Sequence, residues 1–142
     1  MGCCGWRASD RDRQPTVPPV PAMRSVPARV IDHRRAEAES ALVAATAGEP
    51  LCRIEAGGDP TEPKYAEGAL AAVAELQRTI RAAPTVGELT AAQDLLARWE
   101  IEQAACAGRG VAWSAYRNGG VAELRRIVAE LAASPAVPPP EG

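Results

Sequence analysis

Residues 64–83, KYAEGALAAVAELQRTIRAA, carry the clearest secondary-structure signal in this chain. Apolar side chains recur there every three or four positions, which is the spacing that aligns them along one face of an α-helix. Glu67, Glu75 and Arg78 fall outside that face, as expected for a helix that buries only one side. We therefore predict an amphipathic helix over 64–83. Its predicted core residues are Tyr65, Ala66, Ala69, Leu70, Val73, Leu76 and Ile80.

The composition of the chain extends this helical prediction. Of its 142 residues, 30 are alanine, and β-branched and aromatic residues are sparse between Arg34 and Ala133. Alanine has the highest helix propensity, whereas strands favour the residue types that are scarce here. We therefore expect an all-α protein, a small up-down bundle of three or four alanine-rich amphipathic helices. Because large apolar side chains are few, its core should be thin.

Prolines separate the helical domain from its flanks, since a proline inside a helix removes a hydrogen-bond donor and clashes with the preceding turn. Residues 1–27 contain five prolines and no sustained apolar period, which predicts a disordered, proline-rich basic arm. Residues 28–134 are predicted to form the helical domain, interrupted by a loop at 48–63. Residues 135–142 are predicted to be a proline-rich, disordered tail.

A first helix is predicted over residues 28–47. Its apolar stripe is interrupted, because Arg34 falls within it. The predicted stripe consists of Val30, Ile31, Ala38, Ala41, Leu42 and Ala45.

A third helix is predicted after Pro84 and up to residue 107. Thr85 is expected to be its N-cap, and Glu88 three residues later matches a capping box. Ile101 points away from the apolar stripe and could form a second contact surface. The predicted stripe consists of Val86, Leu89, Ala92, Leu96, Trp99 and Cys106.

The last helix is predicted to run from about residue 111 to Ala133. Asn118–Gly120 is a turn signal, yet the apolar residues before and after it share one helical phase. We therefore favour a helix that continues through the glycines, which would allow a close approach of another element. The residues in phase are Trp113, Tyr116, Gly120, Leu124, Ile127, Val128 and Leu131.

These features favour a non-enzymatic protein-interaction or assembly module, a structural subunit or a small regulator, that binds a protein partner or a second copy of itself. Trp99 and Trp113 are interpreted as the large members of the core. The alternative for Trp113 is a partner groove between the last two helices, with Tyr116 and Arg117 beside it, because these residue types anchor interfaces. Ile101 is the other interaction candidate.

Charge supports a second hypothesis, a nucleic-acid-associated protein. Residues 1–35 carry seven arginines against three aspartates, a net charge of +4, whereas the remaining residues carry a net charge of −6. A basic arm could contact phosphates through Arg7, Arg11 and Arg13. The same charges also serve to keep a disordered segment solvated.

Cysteines support a third hypothesis, a thiol-based metal or redox protein. Cys3 and Cys4 are adjacent, and thiolates are soft metal ligands. A structural zinc site needs four ligands, and only His33 and two distant cysteines could complete one. We therefore expect no bound metal and no cofactor. Cys52 and Cys106 are expected to be lone buried cysteines.

Enzymatic, secretory and membrane functions find little support in the sequence. His33 is the only histidine and has no nucleophile near it in sequence, so we expect no enzyme. No segment has the length of a membrane span, and Trp6 stands where an acylation motif beginning at Gly2 would need serine or threonine. A cytoplasmic protein without membrane association is predicted.

Overall fold

The computed structural model of the chain describes residues 25–50, 52–53 and 58–134. Within these residues it contains four long helices and no strand, which confirms the all-α prediction. The predicted arm up to residue 24 and the predicted tail 135–142 lie outside the described residues. The helices are α1 (Val26–Thr46), α2 (Thr61–Ala82), α3 (Glu88–Ala105) and α4 (Val111–Ala133).

Two helices begin earlier than their prolines suggested. Pro27 lies in the first turn of α1, where Ser25 is the N-cap and its hydroxyl accepts a hydrogen bond from the Ala28 amide at 3.4 Å. Pro63 is buried in the first turn of α2. The first amides of a helix have no acceptor within it, so a proline there loses no hydrogen bond.

The predicted capping box at the start of α3 is wrong. Glu88 is the first residue of the helix, and its N-cap is Gly87, which makes no side-chain capping bond. Thr85 lies instead in a turn that the Val86 amide closes by donating to the Ala83 carbonyl at 3.0 Å. The turn that follows α2 therefore takes up the residues that the sequence pattern assigned to the helix start.

Consecutive helices run antiparallel, as in the predicted up-down bundle. As residue numbers increase along one helix, the numbers of the residues that it contacts on the next helix decrease. Helices α2 and α4 are both antiparallel to α3 and therefore point in the same direction. Between α1 and α2 the pairs are Ala28 with Arg81, which line one cavity, and the hydrogen-bonded Asp32–Gln77. Between α2 and α3 they are the hydrogen-bonded Glu75–Arg98, and Thr79 with Asp94, which line one cavity. Between α3 and α4 they are the hydrogen-bonded Gln103–Asn118 and Glu100–Arg125.

Helices α2 and α4 touch along their backbones. A Cβ atom at Gly68 would overlap the carbonyl oxygen of Tyr116, and a Cβ atom at Gly119 would overlap the carbonyl oxygen of Tyr65. The two glycines thus face the opposite backbone reciprocally, at a point where no larger residue fits. As predicted, α4 continues as a helix through Gly119, and the glycines allow close packing instead of a turn.

The core lies on the two faces of this α2–α4 pair. Trp99 of α3 is 3% exposed and lies against Gly120, where a Cβ atom would overlap the indole ring. Leu95 is buried although the predicted α3 stripe omitted it, while Leu96 is only partly buried. The main buried apolar residues are Ile31, Ala72, Val73, Leu76, Ala91, Ala92, Leu95, Trp99, Val121, Leu124, Ile127 and Leu131.

Helix α1 packs on α2 and α4 through a mixed surface. Ile31 and Ala38 are its buried residues. Arg34 lies between them in the stripe, and its guanidinium group donates two hydrogen bonds of 2.7 Å to the carboxylate of Glu123. The Glu123 side chain is only 4% exposed. The arginine that interrupted the predicted stripe is therefore accommodated by a buried acidic partner on α4.

A candidate binding groove between α2 and α4

An open groove lies at the end of the bundle where α2 and α4 begin. Its volume is about 430 Å³, and most of its wall is apolar. Trp113 and Tyr116 lie one turn apart on α4, so both side chains project toward this side of the helix. The lining residues are Pro60, Lys64, Ala112, Trp113 and Tyr116.

The aromatic wall of the groove is a chain of three rings. The Trp113 and Tyr116 rings meet edge to face, with centroids 5.7 Å apart and an interplanar angle of 79°. On its other side Tyr116 stacks on Trp99, with centroids 5.8 Å apart at 27°. Trp99 is buried, whereas Trp113 is 49% exposed. The chain of rings therefore leads from the core to the surface, and Trp113 is the member that solvent reaches.

Tyr116 is fixed in position from both its backbone and its side chain. Its carbonyl faces Gly68 across the α2–α4 contact, and its ring is held between the two indoles. Burial raises the pKa of the Tyr116 phenol, Arg117 opposes that rise, and the nearby carboxylates of α2 add to it. The phenol is therefore protonated at neutral pH and can donate a hydrogen bond.

Lys64 and Glu67 place charge beside the apolar wall. The Lys64 ammonium lies 2.9 Å from a carboxylate oxygen of Glu67, one turn along α2. Both side chains are partly buried, with 22% of Lys64 and 32% of Glu67 exposed. The groove thus combines apolar rings with a polar rim, which is the usual composition of a protein-binding site.

Arg117 does not line this groove. Its guanidinium group lies 4.7 Å from the centre of the Trp99 ring, and one of its nitrogens is 2.5 Å from a carboxylate oxygen of Glu102 on α3. The groove that Trp113 and Tyr116 line is formed with α2, so its predicted position between the last two helices is wrong. Arg117 instead joins α3 to α4 beneath the aromatic chain.

The prediction that Trp113 belongs to the core is also wrong, whereas the one for Trp99 is confirmed. The other predicted interaction residue, Ile101, is 71% exposed on α3. Its exposure agrees with the prediction that it lies opposite the core stripe. What contacts Ile101 in solution stays a prediction.

Most residues of the two alternative hypotheses fall outside the described part of the chain. This applies to Arg7, Arg11 and Arg13 and to Cys3 and Cys4. His33 is described, is exposed, and lies 3.6 Å from Glu37 one turn away. Among residues 25–50, 52–53 and 58–134, no three His, Cys, Asp or Glu side chains come together as metal ligands would.

The two remaining cysteines differ in burial. Cys106 is buried at the end of α3, as predicted, but Cys52 is exposed, so its predicted burial is wrong. Cys52 belongs to the connection between α1 and α2, which lies outside the helices that form the core.

Sequence reasoning missed Pro60 and Lys64 as groove residues and Glu123 as a buried one. Glu123 carried a detectable signal, because it falls in the apolar phase of α4 while a residue of opposite charge, Arg34, falls in the apolar phase of α1. Pro60 and Lys64 carried none, since they line the groove only because α2 and α4 begin at the same end of the bundle.

No protein-family model, curated protein or solved structure matches this chain. Of the helices in its described residues, none is both long and apolar enough to cross a membrane. The function must therefore be inferred from the groove itself.

Proposed function

We propose that this chain is a non-enzymatic protein-interaction or assembly module, and that it binds an extended, proline-rich segment of a protein partner in the groove between α2 and α4. The observation that carries the proposal is Trp113, which is 49% exposed yet held edge to face against Tyr116 at the wall of a 430 Å³ groove. A large aromatic side chain that is ordered but half exposed is available to a ligand.

Rigid aromatic residues are efficient anchors for a partner. Trp and Tyr supply a large contact area and are the residue types most enriched among energetically dominant interface positions. Tyr116 is held from both sides, so binding requires little further ordering of its side chain. A site whose side chains are already in place loses less conformational entropy when its ligand binds.

The shape and chemistry of the wall favour a proline-rich ligand. Segments in the polyproline II conformation bind in grooves lined by aromatic rings, where proline rings pack against the ring faces. Such segments have no internal hydrogen bonds, so their carbonyls can accept from donors in the groove. The protonated phenol of Tyr116 is such a donor.

A titration with decaproline tests this function. We expect wild-type protein to bind the peptide by isothermal titration calorimetry, and Trp113→Ala to bind at least about tenfold more weakly, which corresponds to about 1.4 kcal/mol. Val111→Ala is the matched control, because Val111 is 69% exposed at the first position of α4 but does not line the groove. Circular dichroism should show equal helix content in all three proteins. Absence of binding to the wild type at a concentration where it is monomeric, or equal binding by Trp113→Ala, would refute the proposal.

A further inference from the structure

We propose that the groove is occupied by residues 15–21, PTVPPVP, of a second copy of this chain, so that the protein assembles with itself by exchanging its arms. This inference rests on the proposed function and names its ligand. Three observations carry it: the spacing of prolines in the segment, the charge of the arm, and the distance between the start of α1 and the groove.

The proline spacing suits a groove with one aromatic wall. A polyproline II helix has three residues per turn, so residues three apart lie along the same edge. Pro15, Pro18 and Pro21 are spaced in this way and would present three proline rings in one row, about 9 Å between neighbours. In the tail, Pro135 and Pro138 have the same spacing, but the next position of that row is Glu141. The arm therefore offers the longer apolar edge.

Charge also favours the arm over the tail. Residues 1–24 carry four arginines against two aspartates, a net charge of +2, whereas residues 25–134, which include the groove, carry 12 basic against 15 acidic side chains, a net charge of −3. The only charged side chain in residues 135–142 is that of Glu141. A basic segment is attracted to an acidic domain and an acidic one is repelled, an effect that mainly accelerates the encounter.

The position of α1 puts the groove out of reach of the centre of the chain's own segment. Ala28 of α1 and Arg81 of α2 line one cavity, and Arg81 lies 17 residues beyond Lys64 in the groove. At 1.5 Å per residue the groove is about 26 Å from that level, and Ser25 adds about 4 Å more. Pro18, the centre of the segment, is seven residues from Ser25 and reaches only about 22 Å in a polyproline conformation.

This limit on reach within one molecule does not apply to the arm of a second copy. Each molecule has one arm and one groove, so two molecules related by a two-fold axis can each donate an arm to the other's groove and satisfy both sites. Such a reciprocal exchange closes as a dimer. It also places the partner's arginines over the acidic domain.

Sedimentation velocity on full-length proteins tests the inference. We expect the wild type to be dimeric, and both Trp113→Ala and the triple variant Pro15→Ser, Pro18→Ser, Pro21→Ser to be monomeric at the same concentration, with dissociation constants raised at least about tenfold. The matched control is Pro135→Ser, Pro138→Ser in the tail, which should stay dimeric. A monomeric wild type at about 100 µM, or a dimeric triple variant, would overturn the inference.

A mixing experiment identifies the exchange itself. The Trp113→Ala protein keeps its arm and the triple proline variant keeps its groove, so a mixture of the two should form a heterodimer although neither associates alone. This heterodimer fills one of its two grooves and should be weaker than the wild-type dimer, so the mixture is compared with each variant alone at the same total concentration. A mixture that stays monomeric would contradict exchange between copies. If decaproline binds the wild type while the wild type is monomeric, the groove is a proline-binding site and only the second copy as its ligand is wrong. If decaproline does not bind the triple proline variant, whose groove no arm fills, the proposed function fails first.

Discussion

Arg34 and Glu123 form a polar contact between α1 and α4 in the interior of the bundle. The two side chains are 13% and 4% exposed, and the contact is bidentate. Glu37 and Arg126 extend it toward the surface, at 2.5 Å from Arg34 and 3.6 Å from Glu123 respectively. Because removing ions from water is costly, such a pair stabilises little by itself, but either ion left alone is strongly unfavourable. Its main effect is to fix where α1 docks.

Truncating one residue of the Arg34–Glu123 pair should therefore destabilise the protein far more than replacing both residues with apolar ones. We expect Arg34→Ala to lower the free energy of unfolding by about 3–5 kcal/mol, and the double variant Arg34→Met, Glu123→Leu to be close to neutral. The control is Arg125→Ala, which breaks an exposed ion pair with Glu100 and should cost less than about 1 kcal/mol. Urea denaturation measures all three. A double variant as unstable as Arg34→Ala would contradict this account of the pair.

Tyr116 should make the bundle sensitive to alkaline pH. Burial raises its pKa above the usual value of 10.0, so the folded state holds the phenolic proton more tightly than the unfolded chain does. This contribution to stability is complete below pH 10 and is lost as pH rises through the pKa of the folded state. Tyr116→Phe cannot ionise, so its urea midpoint should fall less than that of the wild type above pH 10. Tyr65→Phe is the control and should follow the wild type.

At the level of elements, the contact between α2 and α4 sets the shape of the bundle. Two helices that run in the same direction in an up-down bundle are usually separated by their neighbours. Here Gly68 and Gly119 remove the side chains that would hold them apart, and the backbones meet. The neighbouring alanines at 66, 69, 72 and 115 are buried and add little bulk. The many alanines of the sequence therefore serve close helix packing as well as helix propensity.

Adding one methyl group at this contact should destabilise the protein. Alanine in place of glycine favours a helix by about 1 kcal/mol. At Gly68, however, the new atom would overlap the Tyr116 carbonyl, and overpacking a core typically costs about 1–3 kcal/mol. We expect Gly68→Ala and Gly119→Ala to lower the thermal midpoint despite the gain in propensity.

The matched control for these variants is Gly87→Ser. Gly87 is the N-cap of α3 and has no atom within 4 Å of an added Cβ, and serine is a preferred N-cap. Its thermal midpoint should be unchanged or higher. A thermal midpoint for Gly68→Ala at or above that of the wild type would show that α2 and α4 can move apart without loss of stability.

At the level of the whole molecule, one thin core joins the four helices, and the aromatic chain from Trp99 to Trp113 connects that core with the surface. Trp99 is fixed by its contacts with Gly120 and Tyr116 and by a hydrogen bond that its indole donates to Glu75 at 2.9 Å. It therefore contacts α2 and α4 from α3. A change at Trp99 should affect the entire fold, whereas a change at an exposed residue of the same helix should not.

This contrast predicts opposite behaviour for two residues of α3. Trp99→Ala should open a cavity and cost about 3–5 kcal/mol, a large part of the stability of a domain with so thin a core. Ile101 is 71% exposed, so Ile101→Arg should change the free energy of unfolding by less than about 0.5 kcal/mol. Urea denaturation followed by circular dichroism compares them. An unfolded Ile101→Arg would mean that Ile101 belongs to a folded contact that the isolated chain does not show.

The helical class, the existence of the helices and the continuity of α4 through its glycines were all predictable from local sequence. These features follow from local chemistry, because propensity, proline placement and the phase of apolar residues all act within a few positions of the chain. The helix over 64–83 was the clearest example, although the structure leaves its predicted core residue Tyr65 38% exposed and starts the helix at Thr61. Even there the reason is local, since Pro63 is tolerated in the first turn.

The burial of individual residues within each stripe and the position of the groove depend instead on how the helices pack together. Arg34 is partly buried because Glu123, 89 positions away, comes to face it. Leu95 is buried more deeply than Leu96 because of the direction from which α2 and α4 approach α3. Trp113 is half exposed although it shares the phase of the buried Leu124. Periodicity fixes the direction in which a side chain points, but only the packed helices determine whether another element stands there to cover it.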